Sequence, residues 1–163
     1  MSTSAQERER LWEMIKDIRV AMLTSVGEDG RLRSRPMYTQ QEEQPDGLWF
    51  LTARPSEKVS EIAQSQQVNL SYVDPDKNLF VSIAGRGRLV DDREKARELW
   101  NPMNEVFPEG PEDPSLVVVH VEAESAEYWD GPSGKMRQLF SMARAAVTGK
   151  HSDMGENETV DFD

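Results

Sequence analysis

The spacing of hydrophobic positions changes several times along the chain, and each change marks an element. Leu11, Met14, Ile15 and Ile18 recur every three or four residues, and Ser4 with Glu7 forms a capping-box pattern ahead of them. This predicts an amphipathic helix near 5–17. From Val20 to Val26 the residues are β-prone; Gly27-Glu28-Asp29-Gly30 is a turn, and Arg31 to Gln40 continues extended. The three pieces read as a β-hairpin. After a second turn at Gln44-Pro45-Asp46-Gly47, Leu48 to Thr52 predicts a third strand, and Pro55-Ser56 opens a short helix with Val59, Ile62 and Ala63 on one face.

Val68, Leu70 and Tyr72 then alternate with polar residues, and Asp74 to Asn78 turns the chain into a long strand from Leu79 to Val90. Asp91 and Glu94 cap a helix carrying Ala96, Leu99, Trp100 and Met103. A proline-rich loop, Phe107 to Pro114, leads into Leu116–Val121, which passes on to Tyr128-Trp129-Asp130. Ser133 caps a last helix with Met136, Leu139, Phe140, Ala143 and Val147 on one face, ended by Gly149. Six or seven strands joined mostly by hairpins, with short helices between them and a C-terminal helix, describe a mainly β (α+β) fold, an antiparallel barrel with packed helices. One domain over 1–150 is expected, followed by an acidic tail over 151–163 without regular structure.

Charge and composition narrow the function. Thirty acidic residues against 19 basic ones give a formal charge of −11, which repels nucleic-acid phosphates and anionic lipid at long range. No apolar run reaches the length of a membrane span, and the opening MSTSAQERER is too polar for a secretory signal, so a soluble, cytoplasmic protein is expected. The absence of cysteine removes disulfides, thiolate metal sites and cysteine nucleophiles. The two histidines, His120 in an apolar strand and His151 in the tail, give little on which to build a metal site or a serine–histidine triad.

Three features could carry chemistry. Arg31, Arg33 and Arg35 share one face of a strand while Leu32, Ser34, Pro36 and Tyr38 share the other. The arginines read either as a solvated face balanced by carboxylates or, at Arg35, as part of a site. Pro36 cannot donate to a sheet ladder and marks an edge, a bulge or a gap that a planar ligand could use. In Thr52 to Lys58 a strand ends and a helix begins with Ser56 at its cap and Lys58 one turn in. Free N–H groups, a hydroxyl and an ammonium there suit an anion such as phosphate, although a plain helix cap would look the same. Tyr128 and Trp129 are either core or interface residues or stacking partners for a ring. Gly85-Arg86-Gly87 is no dinucleotide fingerprint, because it lies within a strand, where glycine permits a bend.

The ordered set of these pieces resembles the FMN-binding split β-barrels related to pyridoxamine 5'-phosphate oxidase, in the general stress protein branch. The set is the turn 27–30, Arg33-Ser34-Arg35-Pro36-Met37, Leu48 to Thr52, Ser56-Glu57-Lys58-Val59, Val81 to Gly85, and Tyr128 to Pro132. The resemblance spans about Glu7 to Lys150. It implies that Arg35, Pro36, Met37 and Tyr38 run along the flavin ring, that Leu51 and Thr52 flank the ring and ribityl chain, and that Ser56 and Lys58 bind the phosphate. It also implies that Trp129 approaches from the second subunit of a homodimer whose interface holds the flavin. FMN is the implied cofactor, with FAD or another flavin the lesser alternative. The implied function is a flavin-dependent oxidoreductase acting on a small partner, or else a flavin carrier without turnover. Two departures count against vitamin B6 oxidase activity. Glu57 stands where those enzymes commonly carry a second basic residue, and their arginine- and histidine-bearing C-terminal segment is replaced here by the amphipathic pattern of 134–150.

Overall fold

The computed structural model describes residues 4–40, 47–54, 62, 66–101, 107–131 and 156–162. Helix α1 (Ser4–Ile15) precedes strands β1 (Val20–Val26), β2 (Leu32–Gln40), β3 (Leu48–Ala53), β4 (Gln67–Asp74) and β5 (Leu79–Val90). Helix α2 (Arg93–Leu99), a single 3-10 turn (Gly110–Glu112), β6 (Leu116–Asp130) and β7 (Glu156–Asp161) follow. All strand pairings are antiparallel, and the order β3-β2-β1-β4-β5-β6 closes on itself because β6 also pairs with β3.

The closure depends on the length of β6. Its first half pairs with β3, from Val121↔Leu48 to Leu116↔Ala53, and its second half pairs with β7, from Ser125↔Asp161 to Asp130↔Glu156. From Val118 to Asp130 the strand runs along β5 on its other edge, interrupted by a bulge between Ala84 and Gly85. The expected bend at Gly85 is this bulge.

Alternating residues fill the barrel. Leu23, Phe50, Leu70, Tyr72, Ile83 and Val121 are fully buried, and Leu11 and Ile15 of α1 join the same core. Burial of each such side chain contributes about 1.5–3 kcal/mol. A second cluster covers part of the outer wall, where Ala96 and Leu99 of α2 pack on Trp49, Leu116 and Val118.

Three expectations change. The cap of α2 is Asp92 rather than Asp91: its Oδ1 accepts from the backbone N–H of Glu94 at 3.0 Å and of Lys95 at 3.2 Å. The helix stops at Leu99 because Trp100 is extended, while Met103 lies outside the described residues. The tail is not without structure throughout, since Glu156–Asp161 is strand β7. A hydrogen-bonding edge of β6 left vacant by β3 draws it in. A short alternation also supports it: Val160 packs on the core and Phe162 is buried, while Thr159 and Asp161 are exposed. The helices expected after Pro55 and over 134–150 lie outside the described residues, apart from Ile62, which is helical and buried.

Candidate functional site

The barrel opens where β2 and β3 part. The two strands pair only at Thr39↔Phe50 and Gln40↔Trp49. From there β2 continues along β1 toward Leu32, and β3 continues along β6 toward Ala53. Among the described residues no strand pairs with β2 over Leu32–Tyr38 on the edge away from β1. Arg35, Pro36, Met37 and Tyr38 thus form one prong of a fork, and Leu51 and Thr52 the other. Pro36 falls in the unpaired stretch, as suits a residue that cannot donate to a ladder.

Side chains divide around this fork by parity. Met37 points into the core, and Arg35, on the same face, donates through Nη1 to the buried Ser25 hydroxyl of β1. Pro36 and Tyr38 face outward. Thr52 is buried and Leu51 is half-buried against the outer cluster. Arg31 and Arg33 take the solvated role. Arg33 Nη2 donates to Asp29 Oδ2 at 3.1 Å, and Arg31 lies 3.8 Å from the same carboxylate. The hydrogen bonds from the Arg31 backbone and the Arg33 side chain hold the Asp29 carboxyl below its usual range. Ser56 and Lys58, the expected phosphate ligands, lie outside the described residues, beyond the end of β3.

Trp129 is not beside the fork of its own chain. It stands on β6 between Phe80 of β5 and Asn157 of β7, past Val121, where the pairing of β6 with β3 ends. The register sets Val20 opposite Tyr38 on one side, and Val73 opposite Phe80 and Phe80 opposite Trp129 on the other, and all of these, with Met22, are exposed. Tyr38 is 60% exposed and Trp129 42%. The sequence offered Tyr128 and Trp129 as a pair; the structure separates them, with Tyr128 buried in the core and Trp129 exposed beside Phe80.

His120 is a packing residue. It is buried, its ring centroid lies 4.3 Å from that of Trp49, and its Nδ1 accepts from Arg88 Nε at 3.3 Å. A separate cavity of about 220 Å³ lies between α1 and the β6–β7 pair, lined by Leu11, Met14, Ala126 and Val160 with Arg10 and Glu158 at its polar side. Among the described residues no group of three His, Asp or Glu side chains could hold a metal ion, and no helix is long and apolar enough to cross a membrane.

A six-stranded antiparallel barrel, closed through one long strand and parted at a single fork, is a split β-barrel. The family model pyridoxamine 5'-phosphate oxidase like matches residues 6–153, and the chain belongs to that family. A crystal structure from Jannaschia sp. CCS1, described as general stress protein 26, superposes with a TM-score of 0.80 at 28% identity, covering 97% of this chain and 99% of that one. A general stress FMN/FAD binding protein from Xanthomonas citri gives a TM-score of 0.68 at 28% identity, covering 79% and 92%. Protein bli-3 of Neurospora crassa is 27% identical over 139 residues, which cover 79% of this chain and 66% of that protein. The chain therefore spans just under two thirds of this curated relative.

Proposed function

We propose that this chain binds FMN in the fork between β2 and β3 and serves as a flavin-dependent oxidoreductase on a small partner in the cytoplasm. The observation that carries this reading is the register: two residue pairs join β2 to β3, and the strands then separate, leaving a backbone edge at Arg35–Tyr38 opposite Leu51 and Thr52. The edge of an extended strand that faces no neighbouring strand suits the polar rim of a planar ring. The similarity to the Xanthomonas citri FMN/FAD binding protein supports a flavin, and the single phosphate site expected at Ser56 and Lys58 favours FMN over FAD.

Bound flavin supplies the redox chemistry. The chain's part is to hold and shield it: Lys58 and Ser56 take the phosphate, the edge of β2 orients the ring, and Leu51 and Thr52 line the opposite side. No side chain is needed as acid, base or nucleophile.

The functional unit is a homodimer. Exposed apolar residues Tyr38, Val20, Met22, Val73, Phe80 and Trp129 stand on five successive strands, and apolar surface of that kind on a chain carrying −11 calls for a covering partner. A two-fold axis along β4 would set the partner subunit's Trp129 over Tyr38, and so beside the fork. This surface supports a second copy because an uncharged face is self-complementary where two acidic surfaces are not.

The test is spectroscopic. Titration of the purified protein with FMN should give a bound-flavin absorbance spectrum and quenched flavin fluorescence, and a nicotinamide donor should bleach it until air restores it. Binding without bleaching assigns the carrier role instead; no binding removes the flavin.

A further inference from the structure

The fork needs something to fix where it opens, and a polar tie inside the barrel lies at that level. Thr39 is the last β2 residue paired with β3 before the strands part. Its Oγ1 lies 2.6 Å from the hydroxyl of Tyr72, which reaches across the interior from β4. Its backbone N–H donates to the carbonyl of Arg19 at 2.9 Å. Thr39 is thus held from three sides: by the backbone just ahead of β1, by Phe50 of β3 and by Tyr72 of β4.

Tyr72 is fully buried among Leu70, Ile83 and Phe50. A phenylalanine would supply the same apolar surface, so the hydroxyl is not there for packing. A buried hydroxyl is costly unless paired, and this one is paired with the residue at the base of the fork. Burial pushes the phenol well above its ordinary value, so the hydroxyl keeps its proton and the tie persists through the physiological range.

We propose that Tyr72 and Thr39 are positioning residues for the flavin cleft, their hydroxyl pair setting the point at which β2 leaves β3. This rests on the fork being the flavin site. Neither residue touches the ring; they act by holding the β2 edge at Arg35–Tyr38 at a fixed separation from Leu51 and Thr52.

The measurement is FMN affinity by fluorescence quenching, together with the visible circular dichroism of the bound flavin, which reports ring placement and is insensitive to global stability. Tyr72→Phe and Thr39→Val should each raise the Kd roughly three- to tenfold, the range of one neutral hydrogen bond, and alter the visible dichroism. Thr39→Ser keeps the hydroxyl and should bind as the unaltered chain does. The double variant should be no weaker than either single, because both remove one interaction. If Tyr72→Phe does not fold, the contrast between Thr39→Val and Thr39→Ser carries the test. Unchanged affinity and dichroism in Thr39→Val, with only a lowered Tm, overturn the positioning role and leave the flavin site intact. Failure of the unaltered chain to bind FMN overturns both.

Discussion

Gly85 faces the backbone of Glu122 so closely that a β-carbon at Gly85 would stand 2.2 Å from the Glu122 carbonyl oxygen. The approach occurs at the bulge where β5 and β6 shift register, and neither backbone can yield without disturbing the ladder on both sides. Gly85→Ala should therefore destabilise the fold by about 1–3 kcal/mol, as overpacking does. For a chain of this size that lowers Tm by roughly 3–10 °C. A thermal scan within 1 °C of the unaltered protein would show that the bulge relaxes freely.

Lys58 is the residue expected to meet the phosphate with a full charge. A charge-assisted hydrogen bond contributes about 1.5–3 kcal/mol. Lys58→Ala should then weaken FMN binding by about ten- to a hundredfold with Tm of the flavin-free protein unchanged. An identical titration curve would take this lysine out of the site.

Trp129 on β6 and Tyr38 on β2 are both exposed aromatics on the outer wall of the barrel. If two copies share that face, Trp129→Ala should shift the mass measured by light scattering toward the monomer and weaken flavin binding in parallel. Losing flavin affinity while remaining fully dimeric would place the tryptophan at the ring without a part in association. A protein that is monomeric before any substitution would remove the shared cleft.

Asp113 gives the stability a pH dependence of known sign. Its carboxylate accepts from Ser115 Oγ at 2.7 Å and from the Ser115 backbone N–H at 2.9 Å, and these donors hold it below the usual carboxylate range. A group whose pKa is lowered by folding stabilises the fold above its unfolded value, about 3.9, and loses that contribution as pH falls through the folded value. Asp113→Asn should therefore have a lower Tm than the unaltered protein near pH 7, and the gap should narrow below about pH 4. Equal gaps at both ends of the range would mean that the charge is irrelevant there.

Most of the barrel was legible in the sequence because alternation is a local signal. The strands from Val20, Leu48 and Leu79 begin where their patterns begin, and the 15 residues of β6 were traceable from Leu116 to Asp130. The branch of the family was legible as well, through short pieces in a fixed order. Three things were not. That Arg33 and Arg35 share the inward parity of Met37, while Tyr38 joins Val20 and Phe80 outside, depends on which face the closed barrel buries, and closure is a long-range pairing of β3 with β6. The Thr39–Tyr72 tie spans 33 positions and leaves no trace in either neighbourhood. Strand β7 was hidden by its acidic residues, because the tail's composition resembles a solvated segment even though Val160 and Phe162 alternate correctly.

One strand, β6, serves two successive neighbours on a single edge, and the second of them is encoded well after β6 itself ends at Asp130. On the ribosome, β3 is available before β6 emerges, so the half of the barrel beside the fork can assemble as translation proceeds. The half between Ser125 and Asp130 must wait for Glu156–Asp161, presenting a bare edge in the interval. A chain cut before Glu156 would therefore keep the β3–β6 closure beside the fork while exposing the edge of β6 over Ser125–Asp130.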